Sequence, residues 1–246
     1  MSTEILFFAV PVIFLAYAVF GMTGFGAALV AVPLLVHFIP LQTVVPLIVF
    51  FDLVSTTLIG GSNRASVSIA ELKNITPWML LGIFLGATLL YSISPSGPLI
   101  ALGIFVLYVS IHNLFFGKNI QKNLSSLWAA PFGIFGGVFS ALFGTGGPIY
   151  TIYLERRLDD LTSFRATISA VIFCSGFVRL ITFAFTGAYF KDSILWGAAF
   201  LLPSALLGLW SGSKLRKILP QEAMKKSIYF LLLLAGVGTV YKGLTI

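Results

Sequence analysis

Gly21-Met22-Thr23-Gly24-Phe25-Gly26 breaks an apolar stretch that runs from residue 5 to residue 39, and Phe143-Gly144-Thr145-Gly146-Gly147-Pro148 breaks a second one, from 127 to 154. Each stretch is too long for one simple membrane span of ~20 residues. A glycine-rich break frees backbone N–H and C=O groups that lipid cannot satisfy. It is tolerated only where protein covers it or a water-filled cavity meets it. The pattern therefore predicts, in each stretch, a helix, a break and a short second helix folded as a re-entrant hairpin. Two short spans joined by a turn are the alternative.

The surroundings of the two breaks are those of a membrane protein. Of 246 residues, 58% are hydrophobic and 9% charged, with a mean hydropathy of +1.02. A soluble domain carries about 25% charged residues, so lipid must be the solvent for most of this chain. Six further apolar runs have spanning length, at about 42–61, 74–92, 98–116, 163–186, 192–212 and 226–243. An all-α polytopic membrane protein is expected, with no polar stretch long enough for a separate aqueous domain. Met1–Glu4 holds no Lys or Arg, so the first run reads as a retained segment rather than a cleaved signal. The single cysteine, Cys174, and the distant His37 and His112 give no metal-ligand pattern. His112-Asn113 reads as interfacial.

The broken stretches align without gaps. Gly24 falls on Gly144, Gly26 on Gly146 and Ala27 on Gly147, an offset of 120 residues. The same offset carries Val45 onto Arg165 and Ser55 onto Ser175, and Leu85-Gly86-Ala87 matches Leu207-Gly208-Leu209 after a two-residue insertion. Two repeats follow, residues 1–120 and 121–246, each a hairpin plus three spans within one membrane domain. With loop 62–73 placed in the cytoplasm, twelve of the fifteen basic residues fall on that side. Lys191 and Lys242 lie outside, and Arg179 lies within a span. The net charge of +7 thus reads as topology, not nucleic-acid binding. Each half crosses an odd number of times, so the second is inverted and both termini are expected outside the cytoplasm. Secondary transporters share this architecture, with substrate held near the midplane where broken helices meet.

Gly24–Leu35 and Phe143–Pro148, together with Phe164-Arg165-Ala166-Thr167 and Ser175-Gly176-Phe177-Val178-Arg179-Leu180, resemble the paired motifs of the sulfite exporter TauE/SafE family. The resemblance covers nearly the whole chain. It implies a permease of the bacterial cell inner membrane for sulfite, a sulfonate or another organosulfur anion, working without ATP hydrolysis.

The residues themselves offer a route to such an activity. Helix N-termini at the breaks carry unpaired N–H donors and about half a positive charge, and two such ends converging make an anion site. The expected substrate-binding set is Thr23, Gly24, Gly26, Gly144, Thr145, Gly146, Gly147, Arg165, Ser175 and Arg179. Packing of helices through small residues is the competing explanation for the glycines, and a headgroup contact competes for Arg165. A guanidinium holds a sulfonate through two parallel hydrogen bonds. Arg165, Ser169, Ile172, Gly176 and Arg179 share one helix face. Asp52, Ser55, Thr56 and Asn63 form another stripe, with Asp52 the one acidic residue inside an expected span. Asp52 reads either as an ion-pair partner of Arg179 or as a proton-coupling carboxylate. Tyr150 and Tyr153 either line the path or pack. Gly236, in the final run, reads as an ordinary helix position.

No Walker A loop, zinc motif or catalytic pair is present, so no enzyme, catalytic residue, cofactor or metal is expected. The expected partners are a small anion and the bilayer. An anion channel is the first rival to a carrier, an intramembrane enzyme the second and a scaffold the third.

Overall fold

The computed structural model describes residues 3–24, 26–60, 64–115, 124–190, 194–218 and 221–246. Met1, Phe25, Asn63 and Lys191, named above, lie outside that set. Among the described residues the chain is all-helical: α1 (Thr3–Thr23), α2 (Ala27–Leu35), α3 (Leu41–Gly60), α4 (Ile69–Ser92), α5 (Ser96–Phe115), α6 (Ala129–Phe143), α7 (Gly147–Glu155), α8 (Leu161–Phe185), α9 (Ile194–Ile218) and α10 (Gln221–Thr245). Eight of them, all but α2 and α7, are long and apolar enough to cross a membrane.

Both broken stretches are helix, break and short helix, but the arms are unequal. The 21 residues of α1 reach about 32 Å at ~1.5 Å per residue, a full bilayer core, whereas α2 and α7 have nine residues each. The break falls late because glycine sets it. Gly24 and Gly144 adopt φ of +86° and +70°. The Gly24 N–H donates to the Phe20 carbonyl at 2.7 Å and the Gly144 N–H to the Ser140 carbonyl at 2.8 Å. Both long arms thus end in the same left-handed cap.

The outer surface is what lipid requires. Phe7, Phe84, Tyr108, Trp196 and Phe230 point outward. The centre is α3, 67% of whose span is buried against 33–44% for the other seven. It packs on α8, and the most extensive helix pairs around them are α4 on α6, α1 on α9 and α5 on α10.

Small residues let these backbones approach. A Cβ built on Gly86 would lie 2.6 Å from the Val138 carbonyl oxygen, and one on Gly133 would lie 2.6 Å from Trp78 Cβ. On α9, Gly208 and Gly212 would collide with the Phe14 and Ala18 carbonyls of α1. Close contact through small residues is how membrane helices associate without a hydrophobic drive between them. Gly236 belongs to this set, against expectation. Its Cβ would lie 3.0 Å from Leu107 Cγ and 3.3 Å from the Gly103 carbonyl on α5.

Helix α4 starts five residues before the expected span. Ser68-Ile69-Ala70-Glu71 is a capping-box sequence, and the Ser68 hydroxyl accepts from the Glu71 N–H at 3.5 Å. The Glu71 side chain does not return to the cap. It accepts from Tyr153 Oη at 2.7 Å and from Arg157 Nη2 at 2.6 Å and Nε at 3.0 Å. Asp52 is therefore not the one acidic residue in a spanning helix: Glu71 is a second, and 5% exposed.

Candidate anion site

The two breaks meet α3, α6 and α8 around one small cavity. Its walls are Phe20, Gly26, Ala27 and Ala28 from the first break, Asp52 from α3, and Ser140 from α6. Gly144, Thr145, Gly146, Gly147, Pro148 and Tyr150 follow from the second break, and Ile172, Ser175 and Arg179 from α8. The cavity volume is about 20 Å³, little more than a single water needs. It is too small for an oxyanion in this conformation.

Arg179 organises it. At 2% exposure it is among the largest wholly buried side chains. Its Nη2 donates to Asp52 Oδ2 at 3.3 Å and its Nη1 to the Ser140 carbonyl at 3.2 Å. That carbonyl lies in the last turn of α6, where the helix dipole favours a cation. The guanidinium Nε is buried without a partner, as are Thr145 Oγ1 and Tyr150 Oη. All three residues line the same cavity. The Ser140 and Ser175 hydroxyls bond each other at 2.7 Å.

Asp52 is held from two sides. Besides Arg179, Tyr17 of α1 donates to its Oδ1 at 2.9 Å. The same hydroxyl lies 3.3 Å from the Ile48 carbonyl. Thr56 bonds the Asp52 carbonyl at 2.6 Å, and Ser55 and Thr56 are buried beside it, so the polar stripe of α3 faces inward.

The breaks differ in detail. Gly24 and Gly26 both need positive φ, +86° and +94°, and have open space at their Cβ positions, with Leu29 Cδ1 at 3.7 Å the nearest atom to Gly26. Gly146 is right-handed, with φ −66°. What forbids a side chain there is contact: a Cβ would sit 2.6 Å from the Gly136 carbonyl oxygen and 2.8 Å from Ser140 Cβ. Pro148 near the start of α7 has no N–H to offer a ligand.

Of the residues expected to bind substrate, seven line the cavity: Gly26, Gly144, Thr145, Gly146, Gly147, Ser175 and Arg179. Three do not. Thr23 donates to the Val19 carbonyl at 2.9 Å, Gly24 caps α1, and Arg165 is exposed at the start of α8. Arg165 and Arg179 share a helix face, but that face runs from the surface at one end to the core at the other. Tyr17 and Ser140 are site residues that periodicity did not single out. A tyrosine seven residues before a glycine break carries no local signal of its partner 35 residues on.

Eight apolar helices and two glycine-broken segments around a buried cavity are an architecture that membrane transporters use. Residues 9–239 match the family described as sulfite exporter TauE/SafE, and the chain belongs to that family. It is similar to the probable inner membrane transporter protein TsaS of Comamonas testosteroni, at 26% identity over 194 residues, 78% of this chain and 80% of that protein. No solved structure matches it.

Proposed function

We propose that the protein is a secondary permease, not an enzyme, that carries a small oxyanion across the inner membrane through the cavity around Arg179. Sulfite, a sulfonate or another organosulfur anion is the substrate class. One observation carries this reading: three buried polar atoms, Arg179 Nε, Thr145 Oγ1 and Tyr150 Oη, lack partners and line one cavity. Leaving a buried polar group unsatisfied costs ~1–3 kcal/mol, a cost a ligand oxygen would offset. The family supports the substrate class, and the TsaS likeness supports transport at the inner membrane. The small cavity, too narrow for continuous anion flow, favours a carrier over an open channel.

Residues 1–120 and 121–246 then act as inverted repeats with both termini extracytoplasmic. The packing pattern supports this: α4 on α6 is mirrored by α9 on α1, while α3 on α8 and α5 on α10 map onto themselves.

The test uses Thr145→Val and Tyr150→Phe, which remove the orphan hydroxyls at nearly constant shape. Unfolding midpoints should hold or rise, while affinity for sulfite or methanesulfonate in detergent falls about two- to tenfold, the worth of one hydrogen bond. Unchanged affinity in both would sink the site. For the topology, a cysteine at Thr245 in a Cys174→Ser background should react with an impermeant reagent in intact spheroplasts. Protection would break the inverted arrangement.

A further inference from the structure

We propose that Asp52 is an internal counter-ion that the incoming anion displaces from Arg179, and that it yields by taking one proton, so that anion and proton bind together. The proposal rests on the anion-site reading above and adds a coupling to it.

Three observations converge. First, the guanidinium that would hold substrate already holds a carboxylate: Asp52 Oδ2 lies 3.3 Å from Nη2, and both groups are buried. The remaining cavity of about 20 Å³ does not admit an oxyanion while that pair stands. Asp52 and the substrate therefore compete for the same donor and the same space.

Second, charge must balance. The empty pair is neutral. A monoanion added to it leaves a net negative cluster in a low-dielectric interior, which is strongly unfavourable for the uncompensated ion. A proton from the aqueous phase on Asp52 restores neutrality. The carboxylate becomes a carboxylic acid, and the guanidinium N–H groups pass from Asp52 to the substrate oxygens. No bond other than this O–H is made or broken.

Third, the proton has a built resting place. The Tyr17 hydroxyl lies 2.9 Å from Asp52 Oδ1 and 3.3 Å from the Ile48 carbonyl. It donates to the carboxylate in the empty state. By turning about its C–O bond it donates instead to Ile48 and accepts from protonated Asp52. Both protonation states of Asp52 are thus hydrogen-bonded without moving a backbone atom. An aspartate serving only to orient Arg179 would not need the second acceptor.

The surrounding elements bring few other ionisable groups. Tyr150 of α7 lines the cavity with Arg179, and Tyr189, in the short turn after α8 that packs on α3, lies within electrostatic range of the guanidinium. Helices α2 and α6 contain no acidic or basic residue, and the charges of α9 begin at Lys214.

The experiment is calorimetric titration of the purified protein with methanesulfonate and with ethanesulfonate, monoanions that stay ionised across the pH range used. It is run at several pH values and in buffers of different ionisation enthalpy. The wild type should take up about one proton per anion, and its affinity should weaken by up to about tenfold per pH unit on the alkaline side. Asp52→Asn should bind with affinity independent of pH and no proton uptake. Tyr17→Phe should still bind, with the pH dependence displaced.

Anion binding by the wild type with no proton uptake and no pH dependence would overturn the coupling and leave the anion site standing. So would an inserted, folded Asp52→Asn that binds nothing, which would make Asp52 an orienting residue. No binding of either anion by the wild type at any pH would remove the site and the coupling together.

Discussion

The short helices α2 and α7 each follow a glycine break, yet they are fastened and equipped differently. Each leaves a glycine cap at the cavity and runs outward for nine residues. The start of α7 brings donors: Thr145, Tyr150 and the backbone at Gly146 and Gly147. The start of α2 brings Gly26, Ala27 and Ala28, backbone and methyl groups only.

At the far ends the contrast repeats. Tyr153 and Arg157, at and just beyond the end of α7, close on Glu71, and Arg157 Nη1 also donates to the Leu124 carbonyl at 2.7 Å. At the end of α2, Lys242 donates to the Val36 carbonyl and Thr239 to the Pro33 carbonyl at 3.4 Å. Beside that end lies a hollow of about 300 Å³, lined by His37, Phe38, Gln42, Pro95, Leu99 and Lys242 among others. Two helices of the same length thus carry different chemistry. The α7 side of the cavity carries hydroxyls and is tied at its far end by an ion pair; the α2 side presents a smooth wall and is tied by hydrogen bonds to backbone carbonyls.

The largest test of that asymmetry is at the grip. Arg179→Ala should weaken anion binding about 10- to 150-fold, the ~1.5–3 kcal/mol of a charge-assisted contact, whereas Ala28→Ser on the opposite wall should change it little. Arg179→Ala also strands Asp52, at a cost to stability of up to about 3–5 kcal/mol. Adding Asp52→Asn should restore the unfolding midpoint but not the affinity. Restored binding in the double variant would make the pair purely structural.

Next come the two seals. Glu71→Ala removes three side-chain hydrogen bonds and leaves Arg157 without its carboxylate partner. Because Arg157 is 27% exposed, the loss should be nearer about 2–3 kcal/mol than the full buried-pair value. Lys242→Ala should cost less than about 1 kcal/mol. Midpoints of thermal unfolding in detergent measure both, and equal losses would erase the distinction.

The glycines should separate by mechanism. Gly146→Ala meets backbone and should cost about 1–3 kcal/mol through overpacking. Gly24→Ala meets open space and should cost about 1–2 kcal/mol from its left-handed conformation alone. Gly97, with no atom within 4 Å of its Cβ position, is the control, expected within about 0.5 kcal/mol of wild type. A Gly24→Asn variant, which tolerates positive φ, should recover part of the Gly24→Ala loss.

The smallest effect expected is at His37. Its burial, and then the Lys242 charge, lower its pKa. Protons then favour the unfolded state, so the α2 seal should weaken as pH falls through the ordinary histidine value of ~6.5. His37→Gln should flatten that slope in midpoint-against-pH curves, and a slope unchanged by the substitution would place the titration elsewhere.

Much of this was fixed by local pattern. Low charge and long apolar runs require a bilayer. Glycine clusters inside such runs require breaks, and the same cluster 120 residues apart makes them a pair. Arg179 and Asp52 stood out because a charge in a spanning helix is costly enough to need a reason. These inferences use only composition and spacing along one chain.

Tertiary structure decided what each buried group meets. Arg179 reaches Asp52 across 127 residues, and Arg157 reaches Glu71 across 86. Helical period says which face a side chain occupies, not which helix lies opposite or at what height. That is why Arg165 shares the face of Arg179 but not its site. It is also why Glu71, whose sequence suits a cap, serves a different helix. Gly146 makes the same point: its spacing matches Gly26, but contact with α6, not backbone conformation, demands glycine there. Burial, partner and close approach are properties of the space between elements, and that space exists only once they have packed.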